Sequence, residues 1–99
     1  MPCVEVKLFF PLGRIANRKS TGTVSFSQEV APGETLRSLL LRLVDRYDGM
    51  REVFDTATQD LSSYVLVVLN DVVLTYPHNL DTELKDGDSL SLLPEFAGG

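Results

Sequence analysis

The sequence predicts an α+β domain in which one main helix packs across a mixed sheet. Three observations predict it. Two segments near the N-terminus alternate apolar and polar residues at period two, one segment at 36–47 repeats its apolar residues at helical spacing, and short apolar segments follow it. Two strands feeding one helix, followed by more strands, suit a sheet with a single helix across one face.

The elements follow in order. In VEVKLFF, Val4, Val6, Leu8 and Phe10 share one face and Glu5 and Lys7 the other, the pattern of a half-buried strand that Pro11 and Gly13 end. TVSFS alternates again through Val24 and Phe26 and is expected to pair with the first strand across a long loop. That loop, GRIANRKSTG, holds the one basic cluster, Arg14, Arg18 and Lys19, and reads as solvated. Ala31-Pro32-Gly33 breaks the pattern, Thr35 is a helix cap, and Leu36, Leu39, Leu40, Leu43, Val44 and Tyr47 form the apolar stripe of the helix. Gly49 stands where a left-handed residue would close it. GMREVFDTATQDLSS has anchors at Val53, Phe54 and Leu61 but no sustained period, and reads as irregular with one helical turn. YVLVVLN is apolar throughout and rich in β-branched residues, as a central strand covered on part of both faces would be. Asn70-Asp71 can turn the chain so that VVL pairs back. Leu80 and Leu84 are core anchors, Asp86-Gly87 is a turn, and SLSLL is a last strand with Leu90 and Leu92 facing inward.

Composition narrows the function. A chain of 99 residues without a shift in composition is one domain's worth, and 43% hydrophobic residues place it among folding chains. The net charge of −5 argues against nucleic acid as a partner, because phosphate neutralisation needs a basic stripe. Cys3, the single cysteine, excludes an internal disulfide, and no apolar run has the ~20 residues that span a bilayer, so a cytoplasmic location with no membrane partner is expected. Cys3 has no histidine or basic cluster beside it to activate a thiol and reads as a strand-edge residue. His78, the only histidine, reads as a turn residue, and the acidic pairs Asp86/Asp88 and Asp81/Glu83 lack the spacing of a calcium loop. No phosphate loop, nucleophile elbow or zinc spacing is present, so no metal site is expected and the chain has little with which to run a reaction unaided.

The end of the chain carries chemistry of its own. A carboxylate is a poor acyl donor, but an acyl-adenylate made with ATP is reactive, and attack by a sulfur nucleophile gives a thiocarboxylate. Glycine has no Cβ, so Gly98 and Gly99 can thread a narrow channel into a partner's active site. A frayed end would tolerate two glycines as well.

LFF followed by Arg14, the VLND turn, LDTELKDGDSLSLLP and the terminal AGG resemble the ubiquitin-like sulfur carriers, specifically the small subunit of molybdopterin synthase and its thiamine-pathway relative. The resemblance implies a β-grasp (ubiquitin-like) fold over residues 1–99 with a flexible C-terminal tail at 95–99. It implies that Gly99 carries first the adenylate and then the thiocarboxylate, while Gly98 and Ala97 keep the tail thin. Phe96 replaces a smaller apolar residue and Glu95 a proline, differences that bear on the choice of partner. The implied partners are an E1-like adenylating enzyme, which uses ATP, and a large synthase subunit that passes the sulfur to a pterin precursor of the molybdenum or tungsten cofactor. The resemblance implies that the chain itself binds no cofactor and acts as sulfur-donating subunit or co-substrate. In a β-grasp fold the first and last strands are neighbours, so alternation places Phe9 and Leu93 together on the sheet face opposite the helix, either as a partner-binding patch beside the tail or covered by loops of the same chain. Two other function classes stay open: a carrier for another pathway (cysteine, thiamine, tRNA thiolation) or a protein modifier, and a non-covalent β-grasp binding module.

Overall fold

Val4, Val6 and Leu8 are fully buried while Glu5 is exposed, so the first alternation forms a half-buried strand, β1 (Cys3–Leu8). In this computed structural model the described residues are 2–10, 12–17, 19, 21–62, 65–74 and 79–94. β2 (Val24–Glu29) runs antiparallel to β1, from Leu8 opposite Val24 to Cys3 opposite Glu29. The loop between them is less solvated than the sequence suggests. A short 3-10 helix (Leu12–Ile15) buries Leu12, and Ile15 and Ala16 pack against the core. Gly13 is needed there, because a Cβ would meet the carbonyl oxygens of Gly22 at 2.9 Å and Leu8 at 3.0 Å. Phe10 departs from the expected alternation. β1 ends at Leu8, the chain turns, and the Phe10 ring is 46% exposed with the Arg14 guanidinium 5.2 Å from its centre.

Helix α1 (Leu36–Arg46) buries Leu36, Leu39, Leu40, Leu43 and Val44, with Tyr47 packed at the margin of the core. Thr35 caps it as expected, its hydroxyl accepting from Ser38 N–H at 3.2 Å. Thr35→Ala is expected to cost about 1 kcal/mol, read as a lower denaturant midpoint with an unchanged slope. Ahead of the cap, the Glu34 carboxylate is buried. It accepts from Ala31 N–H (2.8 Å) and Ser38 Oγ–H (2.7 Å) and pairs with Arg42 Nε (3.2 Å), fixing the angle at which the chain enters the helix. The expected left-handed closure at Gly49 does not occur. Tyr47 ends the helix in extended conformation and Gly49 lies inside a second 3-10 helix (Asp48–Glu52). The segment read as irregular then forms a small hairpin, β3 (Phe54–Asp55) with β4 (Asp60–Leu61), anchored by buried Val53, Phe54 and Leu61.

The main sheet is completed by β5 (Val65–Leu69), β6 (Val72–Leu74) and β7 (Ser89–Pro94). Asn70 (φ 50°) and Asp71 (φ 68°) make a two-residue turn with positive φ at both positions, so β6 folds directly back on β5. Strand order is β2-β1-β7-β5-β6, with β1 and β7 parallel and the other pairs antiparallel. β5 is interior, as its composition suggests, but β7 takes the middle of the sheet. Leu90 and Leu92 of β7 are fully buried beneath α1, and Leu80 and Leu84 close the core beside them. The fold class is the α+β arrangement the sequence predicts, with the strand order of a β-grasp domain. No helix among the described residues is long and apolar enough to cross a membrane.

Candidate functional site

The middle strand delivers the chain end. β7 ends at Pro94, which pairs with Val65 in the middle of the sheet. Glu95, Phe96, Ala97, Gly98 and Gly99 lie outside the described residues, as does His78.

At the root of this segment the predicted pair does meet. The Phe9 N–H donates to the Leu92 carbonyl at 3.0 Å, which carries the parallel β1–β7 register one residue past Leu8 opposite Leu92 and sets Phe9 beside Leu93. Both are half-buried and both belong to the sheet face away from α1. The structure adds three residues that the sequence reading did not assign to this face. Leu66 stands opposite Leu93, and Val68 stands between Ser91 and Val73 on the neighbouring strands. Leu66 and Val68 are half-buried and Val73 is 50% exposed, so an apolar patch runs from Phe9 across β7 and β5 to β6. The signal was present. Once Val65, Val67 and Leu69 face the core, Leu66 and Val68 must face away, but a strand apolar at every position does not announce which set is which.

The other half of the same face is polar. Ser25 and Ser27 on β2, Glu5 and Lys7 on β1, and Ser89 and Ser91 on β7 line it, with Lys7 Nζ 3.4 Å from Glu5 Oε1. The face therefore offers an apolar half for burial, continuous with the root of the chain end, and a hydrated half beside it.

The residues considered for other chemistry have structural tasks. Cys3 is a half-buried strand residue whose N–H donates to Asp86 Oδ1 at 2.9 Å. Asp88 accepts from Lys85 N–H and from Asn70 Nδ2, Asp81 pairs with Arg37, and Glu83 bridges to Thr35. The Asp86 and Asp88 carboxylates fix the turn at 85–88, Asp81 ties its loop to the helix, and Glu83 acts through its backbone. Among the described residues no group of three His, Cys, Asp or Glu side chains is placed to hold a metal ion.

Comparison with known proteins bears on this arrangement. A model of the ThiS family matches residues 15–99. The sulfur carrier protein CysO of Mycobacterium tuberculosis is 34% identical over 71 residues, which are 70% of this chain and 76% of that protein. Among solved structures, small archaeal modifier protein 1 of Methanosarcina acetivorans superposes with a TM-score of 0.71 at 28% identity, covering 100% of this chain and 98% of the other. The Amycolatopsis orientalis BexX/CysO complex provides a second, with a TM-score of 0.61 at 26% identity over 95% of this chain and 99% of that one.

Proposed function

Because the chain belongs to the ThiS family of ubiquitin-like sulfur carriers, we propose that it carries sulfur as a thiocarboxylate on Gly99. The observation that carries this reading is the family match running through to Gly99 itself, directly behind the middle strand of the sheet. The Gly99 carboxylate oxygen takes AMP from ATP with release of pyrophosphate, in the active site of an E1-like adenylating enzyme. A sulfur nucleophile then displaces AMP and leaves sulfur on the acyl carbon. The chain contributes the acyl group, the side-chain-free arm of Gly98 and Gly99, and a docking face. The partners contribute the catalytic groups. Phe9 and Leu93, extended by Leu66 and Val68, form that face, and Phe96 and Ala97 are further partner-binding residues. The work is done in the cytoplasm, where ATP and reduced sulfur donors are at hand.

For the acceptor, the LPEFAGG end supports donation to a pterin precursor in molybdenum or tungsten cofactor synthesis, as small subunit of a two-chain synthase. The 34% relation to CysO and the 28% relation to an archaeal modifier protein favour a second reading, a carrier for another sulfur pathway or a modifier joined through Gly99 to lysines. Sulfur-loaded chain mixed with the large molybdopterin synthase subunit and pterin precursor separates them. The first reading expects the thiocarboxylate to be consumed as the dithiolene product appears. A thiocarboxylate that persists there, while the chain is discharged by another acceptor or becomes bonded to protein lysines, establishes the second.

A further inference from the structure

We propose that β6 is a docking edge, along which an extended segment of the enzyme that engages the C-terminal arm adds to the sheet and bonds to the backbone of Val73. The proposal rests on the sulfur-carrier reading and names a contact that reading does not contain.

The hydrogen-bond phase of the sheet exposes this edge. The Asn70 N–H donates to the Ser89 carbonyl at 2.9 Å, so Asn70, Val68 and Leu66 direct their backbone groups toward β7. Leu69 and Val67 therefore direct theirs toward β6, where they face Val72 and Leu74. Val73, opposite Val68, is left with its N–H and C=O pointing away from the sheet. Side chains on both faces of this edge are exposed as well: Val73 is 50% exposed on the open face and Val72 is 59% exposed on the other.

The opposite edge of the sheet is treated differently. On β2, the Val30 N–H donates to the Pro2 carbonyl at 2.9 Å, which leaves the Glu29 carbonyl outward, and Arg42 Nη1 donates to that oxygen at 3.0 Å. Arg46 Nη1 donates to Gln28 Oε1 at 2.8 Å and lays its guanidinium 4.9 Å from the centre of the Phe26 ring. Exposed edges are normally blunted in this way, by charge, proline or a covering side chain. β6 reads Val-Val-Leu, with no charge or proline in the strand, and no hydrogen bond to its outward backbone is found among the described residues.

The occupant follows from size, charge and position. A strand of three residues offers too little ladder to hold two copies of this chain together, and a net charge of −5 on each opposes their meeting. The edge works as an extension of a larger contact. Val73 lies across from Val68, and Leu66 on the same strand lies across from Leu93, so the edge is continuous with the apolar patch at the root of the C-terminal arm. An enzyme seated on that patch brings an extended segment to β6, with an apolar side chain over Val73.

Val73→Pro tests this with little disturbance, because the lost N–H is one that β5 does not use, and proline is tolerated at such edge positions. Wild type, Val73→Pro and Val73→Thr are titrated by calorimetry against the E1-like activating enzyme and against the sulfur-accepting subunit, with sulfur loading followed by intact mass. Val73→Pro is expected to lose about tenfold in affinity for at least one of the two, while Val73→Thr, which keeps the donor and the branched shape, stays within about twofold. Should Val73→Pro fail to fold by circular dichroism, Val73→Lys, which sets a charge against the apolar side chain of the added strand, is expected to lose affinity in the same way. Unchanged affinity in the folded variant, with wild type loading sulfur normally, overturns the docking edge and leaves the carrier standing. A wild-type chain that gains no sulfur overturns the carrier reading itself.

Discussion

A chain lacking Gly98 and Gly99 is expected to gain no sulfur at all, while its unfolding midpoint is unchanged. The arm loses about 7 Å of reach with two residues, so the remaining carboxylate stops short of the site where AMP is transferred, and the end now carries the Ala97 methyl group. Acyl transfer requires the reacting atoms to meet at about 3 to 3.5 Å, and a displacement of several ångströms removes the reaction rather than slowing it. The core of the described residues is untouched, because the last of them to be buried is Leu92. Intact mass after incubation with activating enzyme, ATP and a sulfur donor, alongside a denaturant titration, reads both halves. A non-covalent binding module would keep its activity after this deletion.

Leu93→Glu is expected to weaken binding to both the activating enzyme and the sulfur acceptor by about thirtyfold, corresponding to about 2 kcal/mol. That is the order of burying one leucine, to which the desolvation of a carboxylate inside an apolar contact adds. Leu93 is half-buried on the open face between Leu66 and Phe9, so the loss to folding is confined to two cross-strand side-chain pairs, about 2 kcal/mol or less. Calorimetry against each partner, with circular dichroism as the control on the fold, decides it. Unchanged affinity in a folded variant would remove this patch from the account. The same substitution at Ser27, on the polar half of the face, is expected to change binding by less than about threefold.

Periodicity was legible wherever one face of an element is wet. The β1 alternation through Val4, Val6 and Leu8, the leucine stripe of α1, the Thr35 cap, the Asn70-Asp71 turn and the inward set Leu90 and Leu92 all stand where the spacing puts them. Local chemistry misled where tertiary packing overrode it. Phe10 satisfies the β1 alternation on paper, yet the chain has turned by then and its ring is exposed beside Arg14. Gly49 would suit a left-handed cap, but Tyr47 closes the helix and the chain continues into a second 3-10 helix. The β3–β4 hairpin has two residues per strand, too few for any period to show. Strand order needs contacts between the first and last tenths of the chain, which no window of sequence contains.

The candidate site was legible in part for the same reasons. Phe9 and Leu93 follow from alternation on two strands that lie side by side. Leu66 and Val68 do not, since an all-apolar strand hides its orientation until its neighbours are known. The backbone edge at Val73 depends on hydrogen-bond phase, a property with no sequence signature. The role proposed for Gly98 and Gly99 rests on chemistry and resemblance alone.

The most direct test of the account is the intact mass of the full chain after incubation with an E1-like activating enzyme, ATP and a sulfur donor, followed by fragmentation to place any change. The account predicts a gain equal to one sulfur replacing one oxygen, located on Gly99. No gain, or sulfur found on Cys3 with Gly99 unaltered, would contradict it.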